Sequence, residues 1–100
     1  NRQIAAWETI QKAHAIANGV FLASVNRVGK EDELTFWGRS FVCDPFGQIT
    51  AQAGGNISES LVVECDVLKI EQTRQDWPFL RDRRVDAYQK LTQIYHDPNV

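Results

Sequence analysis

Val20-Phe21-Leu22-Ala23-Ser24-Val25 is the stretch on which the fold turns. It is almost continuously apolar and lacks in/out alternation, which suits a strand covered on both faces rather than one with a wet side. Directly before it, Asn18-Gly19 supplies the left-handed stop that commonly ends a helix. Upstream, Ile4 to Asn18 has helical spacing: Ala6, Trp7, Ile10, Ala13, His14 and Ala17 fall on one face roughly 120° wide. The small residues on that face would let the helix lie close against a sheet. The cover for the strand's second face must come from elsewhere, because the remaining chain holds too few elements to provide it.

Downstream, Gly29 to Glu33 reads as a charged loop and Leu34 to Cys43 as the next strand. Asp44-Pro45-Phe46-Gly47 places Asp first, Pro second and Gly fourth, the pattern of a type I turn. A hairpin return over Gln48–Ala53 follows, with Gly54-Gly55-Asn56 as the next turn. Leu61 to Val63, with Cys65, reads as a further short strand. Asp66 is a good N-cap for a helix from Val67 to Gln75, which Trp77-Pro78 ends because a residue before proline resists helical ψ. The tail, Phe79 to Tyr95, is charged and then weakly helical. Helix, antiparallel meander, helix and tail make an α+β chain.

One hundred residues, 43% of them hydrophobic, allow one ordinary domain and argue against disorder. A net charge of −2 argues against nucleic acid as a partner. No apolar run approaches the roughly 18 residues of a membrane span. Two cysteines do not make a disulfide scaffold, and a reduced, cytoplasmic setting is expected. The chain begins at Asn1 and contains no Met, which fits a processed or partial chain.

Taken alone, the residues reveal no active site. Neither histidine, His14 on the helix or His96 in the tail, is spaced to form a dyad with Cys43 or Cys65, and both cysteines read as packed residues. His14 reads as a helix histidine facing the sheet. No metal is expected, since the cysteine and histidine spacings match no zinc pattern. Arg81-Asp82-Arg83-Arg84, with Asp86, reads as ion pairs rather than a basic patch. Gly54-Gly55 lacks the strand-to-helix context of a phosphate loop. Among the carboxylates Glu31, Asp32, Glu33, Glu59, Glu64 and Asp66, no pair stands out as an acid/base couple. Glu31-Asp32-Glu33 reads as a solvated loop, with attraction of a cationic group as the alternative.

Three stretches carry a resemblance. They are Ala13-His14-Ala15-Ile16-Ala17-Asn18-Gly19 running into Val25-Asn26-Arg27-Val28-Gly29; Phe36-Trp37-Gly38-Arg39-Ser40-Phe41 with Pro45-Phe46-Gly47; and Asp76-Trp77-Pro78-Phe79-Leu80-Arg81-Asp82-Arg83-Arg84-Val85-Asp86-Ala87-Tyr88. Together they resemble the C-terminal third of the carbon–nitrogen hydrolase (nitrilase) superfamily. Within it, the wording is most similar to enzymes acting on N-carbamoylputrescine. The resemblance implies that residues 1–100 are the C-terminal segment of one four-layer α-β-β-α sandwich domain. Residues 76–100 would be its C-terminal arm, reaching to a neighbouring subunit in a homo-oligomer.

The chemistry so implied uses a Glu base, an oxyanion-stabilising Lys and a Cys nucleophile, all lying before this chain, with no cofactor. Catalytic residues here are therefore expected to be none, and the chain alone inactive without the rest of its own domain. The resemblance puts Asn18 and Asn26 near the active-site end of the sheet and implies Asn26, Phe36 and Trp37 as substrate-binding residues for a small molecule. Two alternatives stand beside it. One is action on an N-carbamoyl amino acid such as 3-ureidopropionate, with Arg39 the candidate to receive the carboxylate. The other is a non-catalytic structural or dimerising module.

Overall fold

A computed structural model describes residues 1–95, so His96 lies outside the described residues. Helix α1 runs Arg2–Asn18. Asn1 caps it, its Oδ1 accepting from the Gln3 amide at 2.9 Å. Gly19 ends it at φ 62°. The Gly19 and Val20 amides then bond back to the Ile16 and Ala15 carbonyls, the crossed pair of a Schellman stop.

Strand β1 is Leu22–Ser24, β2 Val28–Glu31, β3 Leu34–Trp37, β4 Phe41–Cys43 and β5 Ile49–Gln52; helix α2 is Leu68–Asp76. All pairings are antiparallel. One sheet has the order β1-β4-β5 and a second consists of β2 and β3. In the first, Leu22 faces Cys43 and Ser24 faces Phe41. Between β4 and β5 a bulge leaves Thr50 out of register, and its hydroxyl donates to the Val42 carbonyl at 3.2 Å. Mixed helix and antiparallel sheet is thus the α+β content that the sequence implies.

Four local expectations need correction. Gly29 to Glu33 is mostly strand: β2 and β3 form a hairpin closed at Asp32-Glu33, with Asp32 at φ 52°. Asp adopts that left-handed conformation more readily than most residues, which hides the turn from a search for glycine. Leu34 to Cys43 is two strands, because Gly38 and Arg39 are both left-handed (φ 61° and 62°) and turn the chain out of one sheet into the other. Leu61 to Val63 pairs with no strand among the described residues, and Val62 is 98% exposed. Cys65, after it, is exposed rather than packed.

The fourth correction concerns α1. Ala15 is fully buried and Trp7 packs on the same core, whereas Ala6, Ile10, Ala13, His14 and Ala17 face outward. The half-buried stripe carries Glu8, Gln11 and Lys12, of which Glu8 reaches the sheet while Gln11 and Lys12 bond within the helix, so an apolar count selects the wrong face. Glu8 bonds Lys12 at 2.8 Å and accepts from Gln52 at 3.3 Å. His14 is consequently an outward-facing residue.

The core sits between α1 and the first sheet: Ala15, Phe41 and Cys43, with Trp7, Leu22 and Ile49 against them. Trp7 meets Phe41 edge-on at 5.6 Å between ring centres. The Asp44–Gly47 turn forms as its sequence implies. The Asp44 carboxylate accepts from the Phe46 and Gln48 amides at 2.9 and 3.0 Å, and the Gly47 amide donates to the Asp44 carbonyl.

The N-cap of α2 is Val67, one residue later than the sequence implies, while the Asp66 carboxylate accepts from the Leu68 amide at 3.0 Å, and Trp77 ends the helix outside helical space. Arg74 Nε donates to the Asn18 carbonyl at 3.1 Å, so a cation from α2 closes the carbonyl end of α1. Beyond α2, Trp77 lies between Phe46 and Phe79, at 6.2 and 4.6 Å. The tail then makes two short 3-10 turns, and Arg81–Asp82 and Arg84–Asp86 are ion pairs, as expected.

Candidate functional site

The corner at Gly38–Ser40 gathers what the sequence keeps apart. Gly38 donates its amide to the Arg27 carbonyl at 2.9 Å, and Arg39 donates its own to the Gly54 carbonyl at 3.1 Å. A Cβ at Gly38 would stand 2.4 Å from Val28 Cγ1 and 2.9 Å from the Gly54 carbonyl oxygen, so only glycine fits. Asn26 ties the corner from the other side. Its amide nitrogen donates to the Gly38 carbonyl at 3.0 Å, and its backbone N–H donates to the Ser40 hydroxyl at 2.8 Å. Its side-chain oxygen accepts from the Arg27 amide at 2.9 Å.

Next to this knot lies a pocket of about 240 Å³, lined by Asn26, Arg27, Arg39, Ser40, Gly54 and Glu59 among others. Glu59 is fixed there by the Gly54 amide, which donates to its Oε1 at 2.7 Å. Both arginines already have partners. Arg27 pairs with Glu31 and holds its guanidinium over the Phe36 ring at 4.3 Å, while Arg39 reaches Glu8 at 3.7 Å.

Of the three residues singled out from the sequence, Asn26 lines this pocket and Phe36 and Trp37 do not. The two aromatics are neighbours on β3, so they point to opposite faces. Phe36 lies under Arg27, and Trp37 meets Trp7 of α1 edge-on at 6.2 Å. The Trp37 indole nitrogen is buried with no hydrogen-bond partner among the described residues. Glu31 of the acidic loop is committed to Arg27, and Asp32 and Glu33 sit at the hairpin tip. Asn18 spends its amide on the His14 carbonyl at 2.9 Å, a cap.

Sequence reasoning missed Ser40 altogether and gave Glu59 no role. Their partners, Asn26 and Gly54, lie 14 and 5 residues away. The sole hint was the Gly38 and Gly54-Gly55 pair of breakers, which marks where strands end but not that the ends meet.

Cys43 is fully buried, and desolvation, with the Asp44 charge adding to it, pushes its thiol above the ordinary range. A protonated, enclosed thiol is no nucleophile. Glu8, by contrast, is held below the usual carboxylate range, mainly by its hydrogen bond from Lys12. No cluster of three or more potential metal ligands occurs among the described residues. No helix there is long and apolar enough to cross a membrane.

Comparison with known proteins places this geometry. The family model described as carbon-nitrogen hydrolase matches residues 2–75. An N-carbamoylputrescine amidase of Solanum tuberosum is 40% identical over 96 residues, covering 88% of this chain and 32% of its own length. The omega-amidase NIT2 of Mus musculus is 35% identical over 86 residues, covering 84% of this chain and 30% of its own. The crystal structure of a carbon-nitrogen hydrolase from Helicobacter pylori G27 superposes with a TM-score of 0.88 at 47% identity, over 95% of this chain and 35% of that one. The chain thus spans about a third of the length of the relatives it matches. On the family match and the shared fold, this chain belongs to the carbon–nitrogen hydrolase family.

Proposed function

We propose that this chain is the C-terminal third of a thiol amidohydrolase that hydrolyses N-carbamoylputrescine to putrescine, CO2 and ammonia. The observation that carries the reading is the 40% identity, over 96 residues, to plant N-carbamoylputrescine amidases. The Glu base, the oxyanion-stabilising Lys and the Cys nucleophile lie outside these 100 residues. The nucleophile forms a carbamoyl thioester that water then hydrolyses. Enclosed Cys43 is not that nucleophile. The chain contributes one side of a four-layer sandwich in a cytoplasmic homo-oligomer, with residues 76–100 as the arm. Asn26 frames the substrate region, and Phe36 and Trp37 stiffen it from the two faces of β3. The exposed outer stripe of α1 and the scarcity of buried side chains support a layer that needs cover.

The omega-amidase relatives favour a second reading, hydrolysis of a carboxylate-bearing amide or ureido acid. In that case Arg39 would have to leave Glu8 to receive the carboxylate. A chimera decides between them: the Solanum tuberosum amidase with its matching third replaced by this chain. Ammonia release from N-carbamoylputrescine and not from 3-ureidopropionate is expected. The reverse preference, or a folded chimera silent on N-carbamoylputrescine, would sink the proposal.

A further inference from the structure

We propose that the pocket at the Gly38–Ser40 corner receives the substrate's primary ammonium end, with the Glu59 carboxylate as its counter-charge. This rests on the reading of the substrate as N-carbamoylputrescine, which carries a neutral ureido group at one end and an ammonium at the other.

Three charged residues line the pocket, and both cations have carboxylates of their own to face: Arg27 pairs with Glu31, and Arg39 reaches Glu8, which it shares with Lys12. Glu59 faces no cation within ion-pair distance among the described residues; its one bond is from the neutral Gly54 amide to Oε1. That bond holds the carboxylate in place and leaves Oε2 to accept from a ligand. A carboxylate so presented asks for a donor carrying positive charge.

The walls suit what would follow the ammonium. Val28 and Ile57 line the same space and offer apolar surface to methylene groups. A volume of about 240 Å³ equals that of about eight waters at roughly 30 Å³ each, enough for a four-carbon aminoalkyl chain. The acidic Glu31–Glu33 loop cannot serve the same end, because Glu31 is spent on Arg27 and its neighbours sit at a hairpin tip.

The test uses the chimera described above, with N-carbamoylputrescine and N-pentylurea, which has a methyl group in place of the ammonium. Glu59→Gln is expected to raise KM for N-carbamoylputrescine tenfold or more and to erase most of the preference for it over N-pentylurea. Glu59→Asp, which keeps the charge, should restore part of that preference. An unchanged preference in an active Glu59→Gln variant overturns the ammonium site and leaves the substrate reading standing, because the Glu59 form still turns the substrate over. Failure of the Glu59 form itself on N-carbamoylputrescine overturns both. Inhibition of the unsubstituted chimera guards against a misfolded variant: putrescine should compete with substrate where 1-pentanol does not, and equal inhibition by the two overturns the site.

Discussion

Gly38 and Gly29 are nine positions apart and both left-handed, yet they should answer substitution differently. At Gly38 an added methyl meets Val28 and the Gly54 backbone, so Gly38→Ala combines left-handed strain with overpacking and should cost roughly 2–4 kcal/mol. At Gly29, with φ 102°, nothing stands within 4 Å, so Gly29→Asn should cost about 1–2 kcal/mol, from backbone strain alone. Denaturant midpoints of the two variants in the chimera check this; equal losses would mean that the corner can yield. The cysteines give a second contrast. Buried Cys43, its thiol pushed up by desolvation, should resist iodoacetamide at pH 8, while exposed Cys65 is alkylated. Peptide-level mass spectrometry of the chimera should find the label on Cys65 and none on Cys43, and label on Cys43 would show that the core opens even in the joined domain. At this scale the sequence was legible wherever the chemistry is local. Asn18-Gly19 and Asp44–Gly47 bond within their own turns, so their residue types suffice. The Asn26–Ser40 knot joins residues 14 apart, and no local rule announces it.

Among the elements, α1 shows why existence is easier to read than orientation. Its start, stop and length follow from caps and spacing, but its inward face follows from where Glu8 finds partners beyond the helix, on β5 and at the corner. Glu8 links the helix to Gln52 and Arg39 as well as to Lys12. Its carboxyl is held below the ordinary value of 4.5, first by the Lys12 hydrogen bond. A carboxyl whose folded value is depressed binds its proton less readily in the folded state than in the unfolded one. Its contribution is therefore complete above pH 4.5 and is lost as pH falls through the folded value. Glu8→Gln should flatten the acid limb of stability below pH 4.5 and leave the neutral region's slope unchanged. Unfolding midpoints from pH 2 to 7 would show it, and an acid limb identical to that of the Glu8 protein would remove Glu8 as the anchor of α1. The strands teach the same lesson. One apolar-aromatic run, Leu34 to Cys43, became two strands in two sheets because consecutive left-handed residues interrupt it. The sequence reading carries the strand straight through Gly38, and Arg39, left-handed without being glycine, gives no sign of the break at all.

For the whole molecule, surface is the deciding quantity. The chain exposes 7982 Å² and has a radius of gyration of 18.0 Å, spread over 52 × 39 × 17 Å. A closed monomer of this mass would expose roughly 5,800 Å² and have a radius near roughly 13 Å. The excess is on the scale that obligate interfaces cover, and it is apolar in the right places: Val25, Leu34, Val62 and the outer stripe of α1. That accords with the run Val20–Val25, whose composition asks for cover on both faces although this chain supplies α1 on one. A single sheet packed under one helix, with four fully enclosed apolar residues among those described (Ala15, Phe41, Cys43 and Pro45), leaves little to oppose chain entropy. Residues 1–100 in isolation should therefore bind a hydrophobic dye such as ANS, self-associate in light scattering and show weak amide protection in β1 and β4. The same amides should become strongly protected once the chain is joined to the triad-bearing portion of the Solanum tuberosum relative. A non-associating monomer that unfolds in one sharp transition, without dye binding, would instead mark an independent module, because only a closed core can give a chain of this size that cooperativity.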